Sequence, residues 1–119
     1  MAGLGGKQVL IVEDEQILAF DYATALAIGG AAILGPAVSC STALEILHRH
    51  RVDAVVLDTR LSDRDCYPVA EYLHDMRIPF MFVSGYEHSV VRKAFARRPF
   101  LAKPFNGAQL VAAIELLVS

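Results

Sequence analysis

The chain has 119 residues, 55% of them hydrophobic and 20% charged, which excludes a disordered linker or tail and suits one compact core. A formal net charge of -2 removes nucleic acid and anionic membrane as default partners. Two cysteines, Cys40 and Cys66, lack metal-like spacing and read as buried reduced thiols, which fits a cytoplasm.

Lys7 to Val12 (KQVLIV) is a β-branched, apolar run that stops at the acids Glu13, Asp14 and Glu15, as a strand ending in carboxylates would. Ile17, Leu18, Ala25, Leu26 and Ile28 then recur at helical spacing, and Gly29-Gly30 supplies a stop. The uncharged stretch from Tyr22 to Leu44 is too interrupted for a membrane span, since Gly29-Gly30, Gly35-Pro36 and Ser39 to Thr42 break it. It reads instead as helix, turn, a short strand over Ala32 to Val38, and the start of a second helix. Thr42 and Glu45 have the spacing of a capping box, with Ala43, Leu44 and Leu47 as the apolar face behind it. The third strand runs from Asp53 to Asp58, and Val69, Tyr72, Leu73 and Met76 make the next helical stripe. Pro79 to Ser84 is a strand, and a short helix is expected from about His88 to Phe95. Phe100 to Ala102 is a brief strand. Asn106 and Gln109 cap a last helix whose inward face is Leu110, Ala113, Ile114 and Leu117.

Strand and helix alternate throughout, and several strands are unbroken apolar runs, which means burial on both faces. That pattern predicts an α/β domain with a parallel sheet between helical layers, spanning residues 1–119. In such sheets ligands bind at the carboxyl edge of the strands. The polar residues of this chain fall there: Glu13 and Asp14 after the first strand, Asp58 after the third, Ser84 after the fourth and Lys103 after the fifth. Three convergent carboxylates repel one another unless a cation joins them. Mg2+ suits the set, because it takes oxygen ligands and commonly combines one or two carboxylates with a phosphate oxygen. Lys103 and Ser84 can hold further phosphate oxygens, which leaves Asp58 placed to attack phosphorus and form an acyl phosphate.

In VLIVEDE, VVLDTRL, FVSG and FLAKPF, taken in this order, the chain resembles a response-regulator receiver domain over essentially its whole length. The resemblance implies a flavodoxin-like (βα)5 fold with a five-stranded parallel sheet in the order 2-1-3-4-5. It implies that Asp58 accepts phosphate from a histidine kinase or phosphotransfer protein. Asp14, Asp58 and the main-chain carbonyl of Arg60 would hold Mg2+, with Glu13 acting directly or through water. Ser84 and Phe100 would form the switch pair, and Lys103-Pro104 would be a cis peptide bond, for which an X-Pro bond gives up only about 0.5–1 kcal/mol. An unknown output partner, a cytoplasmic setting and a phosphorylation-dependent dimer belong to the same picture. So does the absence of direct nucleic-acid or membrane binding. Such a domain is a switch, its chemistry limited to its own phosphorylation and dephosphorylation.

The pattern has departures. Ser62 stands where the family usually has proline, and Cys66 where it usually has glycine. By the same resemblance, Arg60 and Tyr86 occupy positions that in the family tune acyl-phosphate hydrolysis. PFMFVSGYE is similar to a subgroup of single-domain receivers that read Phe-Ala-Thr-Gly-hydrophobic, with Val83 and Ser84 departing from it. The irregular loop leaves open a constitutive interaction module that is not phosphorylated in use. A metal-dependent phosphatase ranks last, since Arg60 stands where its general acid would be. His48, His50, His74 and His88 read as surface residues, and Arg92, Lys93, Arg97 and Arg98 as a solvated basic cluster.

Overall fold

A computed structural model describes residues 3–85 and 93–119. Its strands are β1 (Gln8–Val12), β2 (Ala32–Ala37), β3 (Ala54–Asp58), β4 (Phe80–Ser84) and β5 (Phe100–Ala102). They form one parallel sheet in the order β2-β1-β3-β4-β5. Four α-helices accompany them among the described residues: α1 (Gln16–Ile28), α2 (Cys40–Arg49), α3 (Tyr67–Asp75) and α4 (Gly107–Val118). The helix expected over residues 88–95 lies largely outside the described residues; its last three, Lys93–Phe95, form a 3-10 turn.

The period of two along each strand divides the core. Leu10, Val12, Val55, Leu57, Phe80 and Phe82 face one layer, which α2 and α3 close with Ala43, Leu47, Val69 and Leu73. Val9, Ile11, Ala54, Val56, Met81 and Val83 face the other, closed by Ala19, Tyr22 and Leu26 of α1 and by Leu110 and Ile114 of α4. Every residue of β3 and β4 is buried, so these two strands, which carry Asp58 and Ser84, are the most tightly held part of the sheet.

Three local expectations are corrected. In α1, Leu26 is buried but Ile17 and Ile28 are exposed, and Ala19 and Tyr22 take the inward positions. The helix is apolar nearly all round, so spacing alone could not select a face. Helix α2 begins earlier than the Thr42–Glu45 pattern suggests. Ser39 is the N-cap, and its Oγ accepts from the Thr42 amide at 3.1 Å. In α3, Met76 is exposed at the C-terminal end rather than part of the inward stripe. At α4 the capping box forms with both of its expected bonds, each 2.8 Å.

The junction of β1 and β2 contains an irregularity. Register slips between Leu10 and Val12, opposite Gly35 and Pro36, and the Gly35-Pro36 bond is cis. Pro36 lacks an N–H, and the edge position of β2 leaves none required. Gly35 has φ +85, and a Cβ there would lie 2.7 Å from Ala37 N and 2.9 Å from Ile11 O. Gly35→Ala should therefore cost about 1–3 kcal/mol in urea denaturation. Gly5→Ala, where a Cβ meets nothing within 4 Å, should stay within about 0.5 kcal/mol of the parent.

Candidate functional site

The carboxyl edge of the sheet gathers residues that are far apart in sequence. A pocket of about 370 Å³ there is lined by Asp14, Glu15, Leu18, Asp58, Arg60, Gly85 and Lys103. At its floor, Lys103 Nζ donates to Asp58 Oδ2 at 3.0 Å and lies 2.8 Å from Glu13 Oε1. The contact to Glu13 is an electrostatic one rather than a well-aimed hydrogen bond. Glu13 is fully buried and Asp58 is 5% exposed, so both carboxylates depend on protein partners. Glu13 Oε2 accepts from the Glu15 amide at 3.1 Å, at the start of α1. Asp58 Oδ1 accepts from the Arg60 amide at 3.1 Å.

The electrostatics follow from burial and crowding. Burial, then the neighbouring Glu13 carboxyl, pushes Asp58 up to about 7, against the opposing pull of the Arg60 amide and Lys103. Burial also works to raise Glu13, but its close contacts with Asp58 and then with the Lys103 ammonium outweigh it and hold the group below its ordinary value. For Lys103, burial disfavours the charge, yet the contact with Glu13 and the Asp58 charge prevail and raise it. Two acids and one ammonium thus form a single unit in which Glu13 is the firmer anion.

Oxygen atoms of Glu13, Asp14 and Asp58 lie within 4.8 Å of one another. This all-carboxylate set is hard, oxygen-only and close enough for one small divalent cation, which fits Mg2+ better than a softer metal. Asp14 is half-buried and lines the pocket, so it joins the buried pair to solvent.

The other sequence candidates fall into place around this unit. Arg60 lines the pocket. The Lys103-Pro104 bond is cis. Phe100 is half-buried beside Phe82 and packs against the layer that α2 and α3 close. Ser84 is fully buried, and among the described residues it does not line the pocket. Its Oγ accepts a 2.7 Å hydrogen bond from Thr59. Tyr86, His88 and Arg92 lie outside the described residues. In the basic cluster Arg98 is not simply solvated. Its guanidinium sits 4.4 Å from the centre of the Phe80 ring and 3.1 Å from His74 Nδ1.

Sequence reasoning missed three contributors. Thr59 carries no motif signal of its own. Tyr22 reads as core, and its ring stacks on Phe105 at 5.1 Å while burial and then the charge of Glu13 hold its hydroxyl protonated. Asp63 is the third. In the loop after Asp58 its carboxylate accepts from the Cys40 amide at 2.9 Å and the Ser41 amide at 3.3 Å, while Ser62 Oγ donates to Val38 O at 2.8 Å. The loop that lacks proline is thereby tied to the start of α2. Cys66 has φ -83 and ψ -6, ordinary values for a side-chain-bearing residue, so the glycine position is filled without strain. Cys40 and Cys66 are both buried thiols that are not joined in a disulfide.

With the geometry in place, the fold and the edge cluster define a receiver module, and comparison with known proteins agrees. The family model for the response regulator receiver domain matches residues 9–115, and the chain belongs to that family. It is 32% identical over 117 residues to the transcriptional regulatory protein PdtaR of Mycobacterium tuberculosis, covering 95% of this chain and 57% of that protein. The chain therefore spans little more than half the length of that curated relative. Among solved structures, SdrG from Sphingomonas melonis Fr1 aligns over 100% of both chains at 31% identity with a TM-score of 0.77. The response regulator PhyR from Brucella abortus aligns over 98% of this chain and 49% of its own, at 25% identity and a TM-score of 0.83. Receiver domains are signalling modules rather than metabolic enzymes. Among the described residues, no helix is long and apolar enough to cross a membrane.

The Asp63 clamp makes a prediction about pH. Hydrogen bonds from the Cys40 amide, opposed by a smaller desolvation effect and joined by Ser41, hold the Asp63 carboxyl below its ordinary value. A depressed acid stabilises the fold above its unfolded value and loses that contribution as pH falls through the folded one. Asp63→Ala should lower the thermal midpoint at pH 7. The gap to wild type should close as the pH drops below about 4. A melting series from pH 7 to pH 3 checks this; a gap that persists unchanged at the acid end would remove the carboxylate from the explanation.

Proposed function

We propose that this chain is a phosphoryl-accepting receiver in which Asp58 takes a phosphoryl group from a histidine kinase or phosphotransfer protein. The observation that carries the reading is the Lys103 ammonium held 3.0 Å from Asp58 and 2.8 Å from Glu13 at the floor of an open acidic pocket. A lysine so placed guides an incoming phosphate oxygen and offsets charge as the group transfers. Asp58 supplies the nucleophilic carboxylate oxygen, which forms the new bond to phosphorus as the donor's oxygen or nitrogen leaves. Its Oδ1 is oriented by the Arg60 amide. The apolar, fully buried strand behind it fixes its position.

Asp14, Asp58 and Glu13, with the main-chain carbonyl of Arg60, would hold Mg2+ at this edge. When bound, that ion supplies positive charge for the phosphoryl oxygens and draws Asp58 towards its ionised form. Ser84 would donate its hydroxyl to a phosphoryl oxygen, and Phe100, on the neighbouring strand, would move with it as the second half of the switch. Membership of the subgroup that reads Phe-Ala-Thr-Gly-hydrophobic is supported by PFMFVSGYE. A phosphorylation-dependent surface, an output protein partner and a cytoplasmic setting complete the reading. The clamped loop after Asp58 supports this reading over an unphosphorylated docking module.

Intact mass after incubation with acetyl phosphate tests the proposal. Wild type should gain one phosphoryl group in Mg2+ and none in EDTA, and the adduct should be lost to hydroxylamine. Asp58→Asn should gain none. Lys103→Met should retain Mg2+ binding but react slower by at least tenfold, the equivalent of about 1.4 kcal/mol at the transition state. An unmodified wild type under conditions that preserve acyl phosphates would overturn the reading.

A further inference from the structure

The buried hydroxyl pair beside Asp58 has no part in holding a metal, and its geometry carries an inference of its own. Ser84 is fully buried and Thr59 is 5% exposed, and Thr59 Oγ1 donates to Ser84 Oγ at 2.7 Å. The backbone sets this pairing. Asp58 lies in register with Val83, and the Thr59 amide donates to Val83 O at 3.2 Å, so the next residue along each strand stands beside the other. Ser84 O accepts from the Lys103 amide at 2.9 Å, which fixes its main chain. Rotation about its Cα–Cβ bond is therefore the freedom left to the Ser84 side chain. In the observed rotamer the hydroxyl accepts from Thr59, and Ser84 does not line the pocket that holds Asp58 and Lys103.

We propose that Thr59 is a positioning residue for the switch: its hydroxyl holds Ser84 turned inward and sets how readily Ser84 reaches a phosphoryl group on Asp58. The proposal rests on the phosphoacceptor reading and adds to it a residue that no motif singles out. When Ser84 turns outward it exchanges the Thr59 bond for one to a phosphoryl oxygen. The Thr59 hydroxyl is left inside the protein with its bond broken. That loss opposes switching by roughly the worth of one hydrogen bond, a two- to tenfold factor in an equilibrium constant. Thr59 adjoins Asp58 in the chain, so the residue that carries the phosphoryl group and the residue that restrains its reporter share one peptide bond.

Beryllofluoride, a stable mimic of the acyl phosphate, tests this without turnover. Its affinity in saturating Mg2+ is measured by 19F NMR for wild type, T59V, T59A and T59S, each also in an S84A background. Both hydroxyl-less variants should bind the mimic two- to tenfold more tightly, and T59S should return to the wild-type value. Mg2+ affinity without the mimic should not change in any of them, and the gain should vanish when S84A is present. Equal or weaker binding in T59V and T59A overturns the inference, as does a gain that persists with S84A. A folded wild type that binds no beryllofluoride in Mg2+ overturns the phosphoacceptor reading and the Thr59 role with it. Binding by wild type with no change in the variants removes the Thr59 role alone.

Discussion

The structure turns on one ammonium group placed between two buried carboxylates. Glu13 follows β1 and Asp58 ends the adjacent β3, and both are almost wholly removed from water. Stripping hydration from such groups costs several kcal/mol each. Lys103, from a third strand end, offsets both at once at 2.8 and 3.0 Å. The tie also joins β5, a three-residue edge strand, to the interior of the sheet. The ammonium thus holds the acids close together and adds a tie at the far edge, which the β4–β5 ladder also holds. The cost of this closeness shows in Asp58, which burial and Glu13 push up to about 7, so the residue best placed for chemistry is the less settled of the two anions.

Around this unit the backbone is held by polar groups from neighbouring loops. Asp63 and Ser62 bind the start of α2, the Cys66 amide donates to Thr59 O at 3.3 Å, and the Leu61 amide donates to Arg64 O at 3.0 Å. These bonds do by side chain and turn what a fixed proline φ would do by covalent geometry. The loop after Asp58 is therefore tied at several points, although its sequence departs from the familiar pattern. Tyr22 and Phe105 seal the opposite side: their stacked rings place an apolar wall where the loop after Lys103 meets α1.

What could be read from the sequence has a common physical origin. Strand ends were legible because apolar runs stop at polar residues, at Glu13, Asp58, Ser84 and Lys103, and the carboxyl ends of parallel strands share an edge. Glu13, Asp14, Asp58 and Lys103 followed directly. The Asn106–Gln109 box was legible because both partners are local. Features that depend on contacts distant in sequence were not. Ser39 caps α2, and Asp63 satisfies its next two amides across 23 and 22 residues, so the local Thr42–Glu45 pattern misled. Helix α1 has apolar residues on every side, so its periodicity could not say that Ala19 and Tyr22 face inward while Ile17 does not. Hydroxyl pairing between Thr59 and Ser84 depends on strand register, which no single segment encodes.

On the proposed function, that register would keep chemistry and switching separate yet coupled. By alternation along the strands, Asp58 continues the face of Val56, on the side of α1 and α4, and Lys103 continues that of Leu101. Thr59 continues the face of Leu57, and Ser84 that of Phe82, on the side of α2 and α3. Phe100 packs in that second layer as well. The acids and the lysine therefore belong to one side of the sheet, while the hydroxyl pair and the aromatic belong to the other. A charge change at Asp58 need not travel through the core to be felt across the sheet. It acts at the strand ends, where the two faces meet and where the side chains of residues 58 and 59 are separated by one peptide unit. A sheet edge is the one place in a doubly covered fold where a buried residue can turn from one side to the other without crossing the packed interior.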